Sequence, residues 1–483
     1  MLLDYTRLEN IKCFATPTHI NFCKQGSAPH KWVVIYGDNG LGKSTLLRAL
    51  GMALTGQPAL NTLLPSAEGW VRGRQGAIIQ VGVKKSASDK SPGAPRTRMF
   101  HFVWQLIGER PLKEGPLVYP AHTINLIEKH GDLPRGLRTI GKQVDNDAKL
   151  LKEHIANDDP KRGWLICGYG AHRRLSGSSS ELAERISPDG RASRLATLFH
   201  EKAALTSAEA WLRKLHHQAL VDKDGSAQKR LDAVEQMINT GLLHGGVELA
   251  EITPDGVYFK THFSPRIVMD DLSDGYRTVL ALVLDLLRHV EYCFDIESVL
   301  ETRNGHSVIT AEGVVLIDEI DAHLHPSWQR TIGGWLHSRF PNMQFIVATH
   351  SPLIATRVSE TEGLVIRLVR RKKGKGEVVE AITEEGTIGL TADQKLTGPD
   401  FGLPSARDLL ADDMAAEIEL LRGRVRTKKA KPAERKRLRA LEAEYERIAP
   451  ATPTYAGIER WREDEARIRR ANEEAAREEG ARR

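Results

Sequence analysis

Cysteine is scarce in this chain, with four among 483 residues, at Cys13, Cys23, Cys167 and Cys293. No two of them share a paired spacing, so there is no disulfide framework to read, and reduced thiols are the simplest account. Long apolar runs are also missing. The longest, Val279 to Leu287, is broken by Asp285 and is far below the ~20 residues that a helix needs to cross a bilayer. The opening residues MLLDYTRLENIKCF lack a basic stretch followed by an apolar core, so they do not read as a signal peptide. No sustained heptad pattern occurs, which excludes long coiled-coil arms. These absences lead us to expect a cytoplasmic protein with no membrane partner.

What remains is ordinary globular material, 41% hydrophobic and 27% charged, with a formal net charge of +6. At about 150 residues per folded unit, the length suggests two or three units. The positive excess fits proximity to nucleic acid without requiring it.

The run WVVIYGDNGLGKSTLLRAL carries the strongest chemical signal. An apolar strand, Val33 to Tyr36, feeds a glycine-rich loop that opens a helix near Lys43. The spacing Gly37-x-x-x-x-Gly42-Lys43-Ser44 is that of a phosphate-binding loop. Here Gly37, Asp38, Asn39, Gly40 and Gly42 curl the backbone so that several N–H groups face one anion, and the helix dipole adds to them. Lys43 would reach the β- and γ-phosphates of ATP, Ser44 would ligate Mg²⁺, and Thr45 follows in the first turn.

Three further elements follow about 230 residues downstream. Asp271-Leu272-Ser273-Asp274-Gly275-Tyr276-Arg277-Thr278 opens the helix TVLALVLDLLRHV. GVVLIDEIDAHLHP places four apolar residues, Val314 to Ile317, before Asp318 and Glu319. QFIVATHSP is another apolar strand, ending at Thr349-His350-Ser351. A buried strand ending in Asp318 sets a carboxylate where it can hold Mg²⁺ through water, and Glu319 is then the natural base for the attacking water. His350 is placed to sense the γ-phosphate. The Ser273 hydroxyl and Gly275 backbone, at a helix N-terminus, form a second anion cradle. One nucleotide does not need two cradles, so this one makes sense over the γ-phosphate of a second subunit.

Phosphate loop, LSDGYR signature, hhhhDE strand and THS switch occur in the order of the ABC-type ATPases. The chain resembles the SMC/RecF-like branch over roughly residues 1–110 and 263–370. It departs from the transporter form at the signature, which reads Leu-Ser-Asp-Gly-Tyr-Arg rather than Leu-Ser-Gly-Gly-Gln. The resemblance implies an α/β P-loop fold with an SMC-head-like mixed sheet, ATP and Mg²⁺ as ligands, and a dimer or an oligomer of dimers with composite sites. It also implies that Asp321 lies in the loop linking the two active sites, and that Asn10 and Lys12 neighbour the base or ribose. The FGLPSAR segment and the charged tail resemble ATPases of bacterial phage-defence operons, the Septu ATPase family first and the PARIS ATPase second. In Septu the partner is an HNH nuclease. This chain shows no HNH or TOPRIM-like pattern, so any cutting of DNA would fall to a separate nuclease or toxin effector.

The chain divides into an ATPase head at 1–120, a compact helical insert lobe at 121–262, the rest of the head at 263–395, and a helical region for oligomerisation or partner docking at 396–483. Residues 1–25 read as two strands and 77–107 as a hairpin, with Gln80 on its first strand and no residue assigned as the Q-loop glutamine. In WLICGYGAHRRLSG, Arg173-Arg174 follow a strand, as either a nucleotide-proximal loop or an exposed basic turn. His323 and His325 suit a helix start and subunit contact better than a metal site. A hairpin after the THS strand carries Arg370, Arg371, Lys372, Lys373 and Lys375 at its tip, either a DNA-backbone contact or a solvated turn. Three functions compete: an ATPase regulating a partner effector, a RecF-like ATP-gated DNA clamp, and, least suited to the tail and signature, a transporter subunit.

Overall fold

A computed structural model describes residues 1–23, 28–72, 76–84, 99–107, 123–133, 137, 145–149, 165–173, 186–187, 190–205, 207–357, 363–373, 376–384, 394, 409–427 and 430–448. The FGLPSAR segment, Arg174, Lys375 and the tail beyond 448 lie outside them. The chain separates into two compact units, Met1–Lys395 and Leu396–Arg483.

Four short apolar runs form the centre of the first unit: β3 (Trp32–Tyr36), β7 (Leu165–Tyr169), β13 (Gly313–Ile317) and β14 (Met343–Ala348), each buried along its whole length. Strands covered on both faces need apolar residues at every position, and their natural pairing is parallel. They join β15 (Leu364–Lys373) and β16 (Gly376–Glu384) in the order β16-β15-β3-β14-β13-β7. Only the outer β15–β16 hairpin is antiparallel, whereas β15 to β3, β3 to β14, β14 to β13 and β13 to β7 are parallel. The resulting mixed α/β sheet is the fold class expected from the motifs.

A second, antiparallel sheet runs β2-β1-β4-β5-β6, built from β1 (Leu2–Glu9), β2 (Thr18–Asn21), β4 (Ala77–Lys84), β5 (Met99–Ile107) and β6 (Thr123–Leu126). The two N-terminal strands and the 77–107 hairpin therefore form as read. Helix α1 (Lys43–Thr55) buries ten of its thirteen residues, the pattern of a helix apolar all round and enclosed in a core. Its Leu46, Leu47 and Leu50 share one cluster with Val33, Ile35, Leu316 and Ile346 of the central sheet and Ile79, Val81 and Trp104 of the other.

The 121–262 segment departs from its reading as a helical lobe. It does hold two amphipathic helices, α2 (Ser207–Val221) and α3 (Ser226–Asn239). It also supplies β6, the edge strand β7 of the central sheet, and the β8 (Glu248–Thr253) and β9 (Gly256–Lys260) hairpin, to which β10 (Ile267–Val268) adds. The apolar run LICGY is drawn to the unpaired edge of β13, because a buried strand edge must satisfy its backbone groups. A small hairpin, β11 (Leu300–Arg303) with β12 (His306–Ile309), precedes β13.

Helix α4 (Asp274–Cys293) buries the carboxylate of Asp285 with Arg288, at 2.9 Å, and His289, at 3.3 Å. Burial opposes the Asp285 charge, yet the adjacent His289 and Arg288 hold its carboxyl well below the ordinary carboxylate range. Helix α5 (Pro326–Arg339) follows β13. In the second unit, α6 (Leu409–Arg426) and α7 (Pro432–Ile448) pair through Met414, Ile418, Leu421, Leu438 and Leu441. No described helix is long and apolar enough to cross a membrane.

Candidate nucleotide site

The phosphate loop emerges where β3 ends, and its glycines are required by space as well as by conformation. Gly42 caps α1 at φ +93°, and a Cβ there would lie 2.3 Å from Cys13 Sγ. At Gly37, with φ +146°, a Cβ would meet the Leu368 carbonyl oxygen at 2.6 Å. Side chains at such positive φ are strained in any case. Lys43 is 6% exposed, and its ammonium donates to the carbonyls of Gly37 at 2.7 Å and Asp38 at 3.0 Å. Burial pushes this ammonium below its ordinary pKa, while Asp318, Asp38, Glu319 and Asp321 pull the other way. The loop thus presents a cation already held toward the anion position.

A cavity of about 430 Å³ opens over the loop, lined by Lys12, Cys13, Asn39, Gly40, Gly42, Lys43, Ser44, Thr45, Asp318, Glu319 and His350. Three separate parallel strands, β3, β13 and β14, deliver all of these groups but Lys12 and Cys13 at their C-terminal ends, where open α/β sheets place their ligands. Asp318 is 5% exposed, and its Oδ1 is buried without a hydrogen-bond partner. An orphaned carboxylate oxygen is costly, and with the Ser44 hydroxyl on the same cavity it suits a hard cation such as Mg²⁺. That ion keeps few protein ligands and takes the rest from water and phosphate.

Glu319 has φ +45°, a left-handed conformation costing roughly 1–2 kcal/mol for a residue with a side chain. Asp321 ties this turn to the switch: its Oδ1 accepts from Thr349 Oγ1 at 2.6 Å and from the His350 backbone N–H at 3.2 Å. His325 caps α5, its Nδ1 accepting from the Ser327 backbone N–H at 3.3 Å.

The remaining expected residues divide. Lys12 lies on the cavity wall, its ammonium 4.2 Å from the centre of the Trp70 ring. Asn10 does not line the cavity and donates to the Gly76 carbonyl at 3.2 Å. Gly37 and Asp38 act behind it through their carbonyls. Ser273 is the N-cap residue of α4, without a side-chain cap bond, and neither it nor Gly275 lines the cavity of its own chain. Gly275 instead lets α4 approach the loop that follows β13, since a Cβ there would lie 2.8 Å from the His323 carbonyl oxygen and 2.9 Å from Trp328. The neighbouring Tyr276 meets Trp328 edge-on at 4.6 Å and donates to the His244 carbonyl at 2.8 Å.

Gln80 is a buried strand residue that donates to Tyr5 Oη at 2.6 Å. Arg173, open between two sequence readings, is buried rather than exposed. It donates to the main-chain carbonyls of Gly170, Asp318 and Glu319. At the hairpin tip, Arg370 pairs with Glu377 at 3.4 Å and Arg371 with Glu380 at 3.1 Å across the strands, all exposed.

With this geometry in view, comparison with known proteins is informative. Residues 171–356 match a family described as "AAA domain, putative AbiEii toxin, Type IV TA system", and residues 7–84 match an "AAA domain" family. The chain is 23% identical to the Septu protein PtuA of Bacillus mycoides (strain KBAB4) over 390 residues, covering 80% of this chain and 42% of that one. It is 43% identical to the Retron Vc95 probable ATPase of Vibrio cholerae serotype O1 biovar El Tor over 101 residues, 21% of this chain and 18% of that one. Over these stretches the chain is similar to AAA-domain families and to ATPases of phage defence. It spans less than half the length of these curated relatives. Among solved structures, the SMC head domain from Thermotoga maritima aligns with 80% of this chain and all of its own, at 15% identity and a TM-score of 0.40. Of the two family matches, one contains the phosphate loop and the other Arg173, Ser273, Asp318, Glu319 and His350.

Proposed function

We propose that this protein binds ATP with Mg²⁺ in the cavity over the phosphate loop and hydrolyses it, and that its nucleotide state controls a separate nuclease or toxin effector in phage defence. The observation that carries the reading is the convergence of the Lys43 ammonium, the unpartnered Asp318 carboxylate oxygen and Glu319 on one cavity. Ser44 and Asp318 would hold Mg²⁺, which when bound neutralises developing charge on the phosphates. Glu319 takes a proton from water as the water oxygen bonds to the γ-phosphorus. The bond to the β–γ bridging oxygen breaks, and ADP leaves with phosphate.

Two copies closing face to face would bring Ser273 and Gly275 of one over the γ-phosphate held by the other. The position of both residues outside their own chain's cavity supports this composite arrangement. The similarity to Septu proteins supports a separate effector of HNH type.

Glu319→Gln is the test. Binding of a fluorescent ATP analogue should persist while steady-state hydrolysis falls by roughly 10²- to 10⁴-fold, the usual contribution of a positioned base. Hydrolysis at the unaltered rate would show that Glu319 is not the base.

A further inference from the structure

Arg173 sits behind the catalytic carboxylates rather than in the cavity. It is 4% exposed. One terminal nitrogen donates to the Asp318 carbonyl at 2.7 Å and the Gly170 carbonyl at 3.1 Å, and the other to the Glu319 carbonyl at 3.0 Å. None of these bonds reaches a side chain, so the guanidinium grips the main chain of two residues, Asp318 and Glu319, that line the cavity.

The grip falls on a backbone that requires one. Glu319 has φ +45°, and such a conformation persists only where the surroundings over-determine it. Its carbonyl accepts from Arg173 and from the Ala322 N–H at 2.9 Å, while the next residue's N–H donates to the Ala348 carbonyl at 3.1 Å. The β14 neighbour fixes the N–H side of this peptide, and the local turn and Arg173 together fix its carbonyl side. A planar fork holds two successive carbonyls from two nitrogens of one rigid group, whereas a lysine ammonium must reach both from a single nitrogen on a flexible stem.

We infer that Arg173 is a positioning residue for hydrolysis: by bridging the Asp318 and Glu319 carbonyls it holds the Glu319 carboxylate where it can take a proton from the attacking water. This rests on Glu319 being the base. Because Arg173 does not line the cavity, its loss should act on turnover and leave ATP binding intact. Together with the Asp318 N–H, which donates to the Tyr169 carbonyl at 2.8 Å, Arg173 ties the end of β7, an edge strand distant in sequence, to the catalytic turn.

The full-length chain and its Arg173→Ala, Arg173→Lys and Glu319→Gln variants would be compared for kcat with Mg²⁺-ATP, for affinity toward a fluorescent ATP analogue, and for thermal midpoint. Misplacement of a catalytic group by an ångström can cost on the order of 100-fold, and a fall of that size in kcat is expected for Arg173→Ala, with affinity within about two-fold of the parent. Arg173→Lys, which keeps the charge and a similar length but loses the fork, should fold and recover part of the rate. Wild-type kcat in Arg173→Lys overturns the role of the fork, even if the alanine variant does not fold. Parallel loss of ATP affinity and kcat in Arg173→Ala would make the residue a scaffold for the whole cavity and also overturn the inference. If Glu319→Gln is inactive while Arg173→Ala turns over normally, the inference fails and the ATPase reading stands. If Glu319→Gln is fully active, the base assignment fails and takes the role of Arg173 with it.

Discussion

Replacing Gly275 by alanine sets helix propensity against packing, and the structure decides which wins. Gly275 lies in the first turn of α4, and alanine in a helix is favoured over glycine by roughly 1 kcal/mol. Its built Cβ, however, would lie 2.8 Å from the His323 carbonyl oxygen and 2.9 Å from the Trp328 ring. Carbon atoms settle at about 3.5–4.0 Å, so the helix or the ring would have to move by roughly 0.6 Å. Neither is free to do so. The Trp328 indole donates to the Leu242 carbonyl at 3.0 Å and abuts Tyr276, and the other contact is backbone. Overpacking of this kind costs about 1–3 kcal/mol, which set against the propensity gain leaves a net loss of up to about 2 kcal/mol. The control is Gly334→Ala in α5, where nothing lies within 4 Å of the added Cβ; there alanine should stabilise by about 0.5–1 kcal/mol. Thermal and denaturant midpoints of the two variants should therefore move in opposite directions from the parent. A rise for Gly275→Ala matching that for Gly334→Ala would refute the packing argument.

Other consequences can be checked alongside. Asp285→Ala deprives the buried Arg288 of its carboxylate and should cost about 3–5 kcal/mol in equilibrium unfolding; a loss below 1 kcal/mol would deny the ion pair its weight. Lys43→Ala alone should abolish ATP binding, but mixed with a Ser273→Arg variant it should regain part of the ATPase rate through mixed dimers carrying one intact composite site. No recovery in dimers shown to be mixed would indicate that each subunit works alone. Charge reversal at Arg370, Arg371, Lys372 and Lys373 should flatten the salt dependence of any DNA binding by roughly one unit of log–log slope per lost contact. Since Arg370 and Arg371 are already paired across the hairpin, an unchanged slope would mark the tip as a solvated turn.

Contiguous sequence was enough for the parts of this protein that are built locally. The phosphate loop is one strand, one turn and one helix start, so the residues between Gly37 and Thr45 declare it without reference to the rest of the chain. The apolar runs before Asp318 and at Phe345 to Ala348 declare buried parallel strands for the same reason. Their order of motifs then implied the P-loop class. What the sequence could not declare is what meets across distance. Arg173 and Asp318 lie 145 residues apart, and an arginine after a strand reads equally as an exposed turn until β7 pairs with β13 and turns it inward. Gly275 reads as part of an anion cradle, but its contact with His323 and Trp328 exists only because α4 and α5 pack together. Asn10 and Lys12, two residues apart, part company because only Lys12 is drawn over Trp70 onto the cavity wall. Hydrogen-bond satisfaction and close packing act on whatever the fold brings together, and neither leaves a mark in the residues on either side along the chain.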